Sequence, residues 1–248
     1  GDDVKENLRA VESALNELRS KKCDLICLPE NTFYLRLDKN QNIYPVISLQ
    51  DDLWRPLRAF ADREDCALLF GSVPVKNKKK KVANATVLVA PKQKPKVVYE
   101  KIHLFDVDVE GAPPVRESDH FAHGEKPPVL KIKNWNVALS ICYDVRFARL
   151  YSRYSKKNTH LILVPSAFLV PTGRAHWHVL LRARAIESQA YVVAAAQCGG
   201  HKNAQGHSRD TFGHSLVVDP WGQVLLDMGD KGAAVAVVEL DPVKLQTV

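Results

Sequence analysis

No stretch of the 248-residue chain reaches the roughly 18 apolar residues that a membrane-spanning helix needs, so a membrane protein is not expected. Cysteine is sparse and odd in number: five residues, with Cys23 and Cys27 close together and the others far apart. That is not a disulfide framework, and it fits a reducing compartment. Cys23 and Cys27 lack the further Cys/His pair of a structural zinc site and read as buried thiols. Internal repeats are absent, and only one patch is compositionally biased: Lys76, Lys78 to Lys81, then Lys92, Lys94 and Lys96. This patch carries much of the net charge of +7, but no aromatics interleave it. A solvated hairpin loop is expected there, not a nucleic-acid platform.

What is present describes one globular domain of α/β class, with 46% hydrophobic and 25% charged residues over positions 1–248. Val4, Leu8, Val11, Leu15 and Leu18 recur at helical spacing and predict an opening amphipathic helix. Residues 23–30 read as a buried strand stopped by Pro29, with Glu30 at its carboxyl end. A helix over 52–64 and strands over 66–73, 82–90 and 96–101 follow. The stretch from 104 to 128 is polar and irregular, and loops of that length are usually functional. Strands are predicted at 135–142, 160–167 and 191–198, with helices near 145–156 and over 176–190. Residues 214–228 form a hairpin turning at Asp219 to Gly222, and 233–240 is a last strand. Two packed sheets with helices outside are expected.

Three reactive side chains sit where predicted strands run out into loops: Glu30, Lys101 and Cys142. A thiolate is a nucleophile, and a nearby cation or helix N-terminus lowers a thiol's pKa; both influences are expected at Cys142. Singly, each residue has a plainer reading. A cysteine ending a buried strand is more often a small core residue, and a lone Glu or Lys at a strand end is more often solvated.

The surrounding motifs change that balance. Leu28-Pro29-Glu30, the run from Tyr99 to Asp106, and the run from Ile141 to Phe147 resemble the three catalytic segments of the carbon–nitrogen hydrolase (nitrilase) superfamily, in family order and with family-like separations. The resemblance covers nearly the whole chain and implies an αββα sandwich. It also implies Glu30 as general base, Lys101 as electrostatic stabiliser and Cys142 as nucleophile, with no metal or organic cofactor. A second glutamate is implied in the loop between lysine and cysteine: Glu117, with Glu110 as its rival. The Lys101 ammonium and the backbone N–H of Tyr143 are the expected oxyanion donors.

Pro165 to Phe168, Thr172 to Trp177, Leu180 to Glu187 and Ala194 to Gly199 resemble the Nit branch, above all its deaminated glutathione amidase group. This implies hydrolysis of deaminated glutathione to 2-oxoglutarate and cysteinylglycine through a thioester. Arg146 is then expected at the 2-oxo acid end, with an ion pair to Asp144 or another acid as its structural alternative. Phe168 and Thr172 are expected to line the pocket, and Arg174 to reach the distal carboxylate. Two departures stand out. His178 occupies a position where relatives usually carry Glu, which puts any role of that acid beside the lysine in doubt. The relatives' first strand and an arginine-rich tail after Leu245 are missing from the sequence.

The resemblance also implies a homodimer or higher homo-oligomer, through 147–154 and the 176–190 helix. A cytoplasmic location is expected, with a mitochondrial one left open because no targeting segment is readable. Competing readings are ω-amidase or N-carbamoyl hydrolase on the same residues, an interaction module with a vestigial site, a metal hydrolase using some of the nine histidines, and nucleic-acid binding. His176 and His178, two apart on a helix, point to different faces, which weakens the metal reading.

Overall fold

The computed structural model describes residues 1–38, 44–108 and 115–247. Helix α1 (Val4–Glu17) starts at Asp3, whose carboxylate accepts the free N–H groups of Lys5 and Glu6. Four strands then form a mixed sheet with helix α2 (Trp54–Glu64) on its outside: β1 (Leu25–Leu28), β2 (Ala67–Lys76), β3 (Val82–Val89) and β4 (Lys96–Glu100). Only the β1–β2 pair is parallel. The lysine cluster falls in the turns around β3, as the solvated-loop expectation required.

A two-residue ladder follows, β5 (Asp106–Val107) with β6 (Val115–Arg116). The next strands are β7 (Val129–Ile132), β8 (Trp135–Leu139), β9 (Leu161–Leu163) and β10 (Tyr191–Ala194). Helix α3 (Ala148–Ser155) separates β8 from β9, and α4 (Val170–Ser188) separates β9 from β10. The hairpin β11 (Cys198–Lys202) with β12 (Ser208–Phe212) stands apart, and β13 (Leu216–Val218) with β14 (Val224–Asp227) ends the series. The second sheet runs β14-β13-β10-β9-β8-β7, with β8, β9 and β10 parallel to one another.

Strand alternation explains the layering. Along β2, Leu68 and Phe70 point outward to pack with Trp54, Leu57 and Phe60 of α2 and with α1. Ala67 and Leu69 point inward and pack with Val137, Leu139, Ile162 and Leu163 of the second sheet. Tyr151, Tyr154, Trp177 and Leu181 of α3 and α4 cover the far side of that sheet. The result is the expected αββα sandwich.

Three local expectations need correction. The fourth helix begins at Val170, six residues early, because Pro171 occupies a first-turn position where its missing N–H costs nothing. The 233–240 run forms no strand and is mostly exposed; its β-branched residues have no ladder partner among the described residues. Cys23 and Cys27 are half-buried, not buried, though burial still pushes the Cys27 thiol up to about 12.

Gly71 of β2 packs tightly against the segment after β1 and against Pro165, which follows β9. A Cβ there would lie 2.3 Å from the Leu28 carbonyl oxygen, 2.6 Å from the Pro29 carbonyl carbon and 2.2 Å from the Pro165 side chain. Backbone on one side blocks any small adjustment. Gly71→Ala is therefore expected to lower stability by about 1–3 kcal/mol in chemical denaturation, and to displace Glu30, which follows Pro29 directly.

Candidate active site

Glu30, Lys101 and Cys142 follow β1, β4 and β8, and the sandwich brings these three strand ends to one pocket. Lys101 is 2% exposed. Its ammonium donates to Glu30 Oε1 at 2.9 Å and lies 2.9 Å from Glu117 Oε2. Glu117 reaches it from a 3₁₀ turn over Glu117–Asp119, held by the Phe105 N–H at 2.6 Å. The rival, Glu110, lies outside the described residues. Burial works against the Lys101 charge, but Glu117 and Glu30 outweigh it and hold the ammonium well above its ordinary pKa.

Asn84 ties the two carboxylates together, donating to Glu117 Oε1 at 2.8 Å and to Glu30 Oε1 at 3.4 Å. It was not singled out from the sequence, although a lone amide inside the apolar run of β3 is a readable signal. The second Glu30 oxygen accepts the Ala167 N–H at 2.9 Å, and the Gln197 amide donates to the Glu30 carbonyl at 3.0 Å. Three donors thus hold the carboxylate of the general-base candidate, and a fourth holds its main chain.

Cys142 is buried and left-handed, with φ of +47°, a region that side chains with a Cβ rarely adopt. Its N–H donates to the Pro165 carbonyl at 2.9 Å. It opens only a short 3₁₀ turn, Cys142–Arg146, so no helix N-terminus of useful length faces the sulfur. The expected lowering of its pKa does not occur. Burial first, and then the Glu30 charge, push the thiol well above its ordinary range, against the weaker opposing pull of Lys101 and the Ala167 N–H. The resting group is a thiol, next to a carboxylate that can take its proton.

Asp144, fully buried, holds this turn in place. It accepts from the Ile141 N–H at 2.9 Å, the Tyr99 hydroxyl at 2.7 Å and the His103 N–H at 3.0 Å. It also lies 2.7 Å from His103 Nδ1. It therefore locks the Cys142 turn to the segment that carries Lys101, a role the sequence reading did not give it. Arg146 makes no ion pair with it; the guanidinium stands over the Tyr143 and Phe168 rings and near His176 Nδ1.

Tyr143, Arg146, Phe168 and Thr172 all line the pocket. Arg174 does not. With α4 starting at Val170, Arg174 falls on the exposed face of the helix, and Arg36 and Arg209 supply the pocket's other guanidiniums. His178 is not a partner of Lys101; its Nε2 lies 2.9 Å from Asp227 Oδ2, and His214 Nδ1 lies 2.9 Å from Asp227 Oδ1. Among the described residues this trio has donor atoms within 4.8 Å of one another, a set that suits a transition-metal ion, but none of the three lines the pocket.

A raised thiol pKa has a measurable sign. Alkylation of Cys142 by iodoacetamide, read at its peptide by mass spectrometry, is expected to keep accelerating past about pH 8.5, where a free thiol is half ionised. In Glu30→Gln the carboxylate charge is gone and Lys101 remains, so the curve moves to lower pH. A wild-type plateau near neutrality contradicts this account.

The carbon–nitrogen hydrolase family model matches residues 2–248. The chain is 36% identical over 250 residues to the deaminated glutathione amidase of Synechocystis, covering 99% of this chain and 90% of that protein. Among solved structures, the NitFhit protein of C. elegans superposes with a TM-score of 0.81 at 34% identity, covering 92% of this chain and 55% of that one. Nit3 of Saccharomyces cerevisiae gives 0.80 at 28% identity, covering 100% and 88%. With the fold, the strand-end constellation and a match along the whole sequence in agreement, the chain belongs to the carbon–nitrogen hydrolase family.

Proposed function

We propose that the chain is an amidase that hydrolyses deaminated glutathione to 2-oxoglutarate and cysteinylglycine, with Cys142 as nucleophile. The observation that carries this reading is the Lys101 ammonium fixed between Glu30 and Glu117 beside a buried thiol, at the floor of a pocket with three arginines. The relative of that name from Synechocystis supports the substrate.

Glu30 takes the Cys142 proton as the sulfur attacks the amide carbonyl, which avoids forming a free thiolate in a site that disfavours it. The oxyanion that develops is met by the Lys101 ammonium and the Tyr143 N–H. Collapse breaks the C–N bond, and protonated Glu30 returns its proton to the leaving amine of cysteinylglycine. Water then loses a proton to Glu30 and attacks the thioester, and Cys142 leaves as the thiol. Glu117 keeps Lys101 in place and charged throughout. Arg146 meets the 2-oxo acid end, with Phe168 and Thr172 shaping the wall.

Purified protein is expected to release cysteinylglycine from deaminated glutathione faster than it deamidates 2-oxoglutaramate. Cys142→Ala abolishes both reactions, and Cys142→Ser loses roughly a thousandfold or more. Preference for 2-oxoglutaramate moves the protein to ω-amidase chemistry on the same residues; unchanged turnover in either variant removes Cys142 as nucleophile.

We also propose a homo-oligomer that uses the outer face of α4. Val179 and Ile186 are 61% and 50% exposed, and Trp221, 73% exposed, sits in a turn held to α4 by the Arg182 side chain on the Gly222 carbonyl. Ile186→Asp is expected to lower the mass in sedimentation equilibrium. A monomeric wild type rejects the proposal.

A further inference from the structure

The pocket holds more positive charge than its chemistry uses. Lys101, Arg36, Arg146 and Arg209 line it against two carboxylates, Glu30 and Glu117, and both of those are engaged by Lys101. The three guanidiniums are not equivalent. Arg146 stands over Tyr143 and Phe168, and Arg36 lies 2.8 Å from His120 Nε2 and over the Tyr44 ring. Arg209 is half-buried, and its Nε is out of contact with solvent without a hydrogen-bond partner. Among the described residues no carboxylate lies within ion-pair distance of it.

The fold fixes where this group points. Arg209 is the second residue of β12, opposite His201 across the β11–β12 ladder. The far end of β12 is bonded to the pocket wall: the Phe212 N–H donates to the Phe168 carbonyl at 2.9 Å, and Thr211 bridges to Leu169. Asp210, the adjacent acid, lies on the opposite face of the strand and is exposed. His201 offers no counter-charge, because burial first, and then neighbouring positive charges including Arg209, hold its pKa down at about 4. A guanidinium fork at a pocket wall, partly stripped of water and without an acid among the described residues, is a receptor for a carboxylate.

We infer that Arg209 is the distal-carboxylate subsite of this pocket, receiving a second anionic group that the substrate carries on the leaving-amine side of the scissile amide. The inference rests on the proposed activity towards deaminated glutathione and names what recognises the far end of that molecule, the glycine carboxylate. The 2-oxo acid carboxylate stays with Arg146. It also replaces Arg174, which sequence reasoning had placed at that end.

The test compares kcat/KM for three substrates: deaminated glutathione, the same molecule with its glycine carboxylate capped as the amide, and 2-oxoglutaramate. Ratios within one variant cancel any loss of folded protein. The wild type is expected to prefer deaminated glutathione over the capped form by roughly tenfold or more, the worth of a charge-assisted pair. Arg209→Gln is expected to reduce that preference to near unity by raising KM with little change in kcat, and Arg209→Lys to restore part of it. If Arg209→Gln retains the preference, the subsite assignment is overturned while the activity stands. An equal fall on 2-oxoglutaramate overturns it too, by placing Arg209 at the 2-oxo acid end. A wild type inactive on deaminated glutathione removes the proposed function, and the subsite with it.

Discussion

A lysine ammonium with 2% of its surface exposed can exist only if its charge is answered on the spot, and much of this structure is arranged to answer it. Moving one such ion out of water costs several kcal/mol even after relaxation. Lys101 is met by two carboxylates from different parts of the chain, one behind β1 and one in the 104–128 loop. Two buried carboxylates against one ammonium would leave a surplus negative charge, and the surrounding donors disperse it: Asn84 on both, the Ala167 N–H on Glu30, the Phe105 N–H on Glu117. Removing the lysine would leave like charges facing each other without a mediator. The cluster is therefore a folding constraint as well as a proposed reaction centre, since it requires both sheets and the long loop to be in place together.

Burial first, and then the same cluster, disfavours the Cys142 thiolate at rest. Low dielectric amplifies the nearest charge, and the nearest competing charges are a carboxylate that opposes the thiolate and an ammonium already shared by two acids. A site of this kind does not keep a preformed thiolate. It keeps a thiol with a base in reach, so that on the proposed mechanism charge appears only when substrate brings an oxyanion to receive the Lys101 field. The left-handed backbone at Cys142 belongs to the same arrangement: Asp144 accepts three donors, lies against His103 Nδ1, and holds a conformation that the residue would not adopt alone.

How much of this was legible before the fold depends on where the information lies along the chain. The strand-end positions of Glu30, Lys101 and Cys142 are local, readable from apolar runs that stop at a polar residue; the succession of strands and helices suggests two packed sheets, while the αββα form and the pooling of the three residues rest on the family resemblance. What was misread depended on partners far away in sequence. The Cys142 pKa shift depends first on how deeply the fold buries the thiol and then on Glu30, 112 positions earlier in the numbering, lying beside it. The face of Arg174 cannot be assigned without the true start of α4, hidden by Pro171 and Gly173, which read as loop. The 233–240 run has the composition of a strand, yet a ladder needs a neighbour, and composition does not supply one. Asn84 and Asp144 were visible as polar residues in apolar or reactive segments, but their roles are relations among three or four elements.

On the proposed function, chemistry and selection occupy different parts of the pocket, and the division has a physical consequence. The reactive groups sit on strand ends, fixed by both sheets. Arg36, Arg146 and Arg209 come from loops, a 3₁₀ turn and a peripheral hairpin, where substitution costs the core little. Glu30 and Glu117 are committed to Lys101, and among the described residues neither forms an ion pair with Arg209. A neutral amide that fills the pocket must displace water from the Arg209 guanidinium and give nothing back, whereas a substrate with a carboxylate at the right separation replaces that water with charge-assisted bonds. On that reading, selectivity arises as much from the penalty on uncharged amides as from attraction to the correct one. That penalty acts before any bond is broken, so it is set by residues that never touch the reacting atoms.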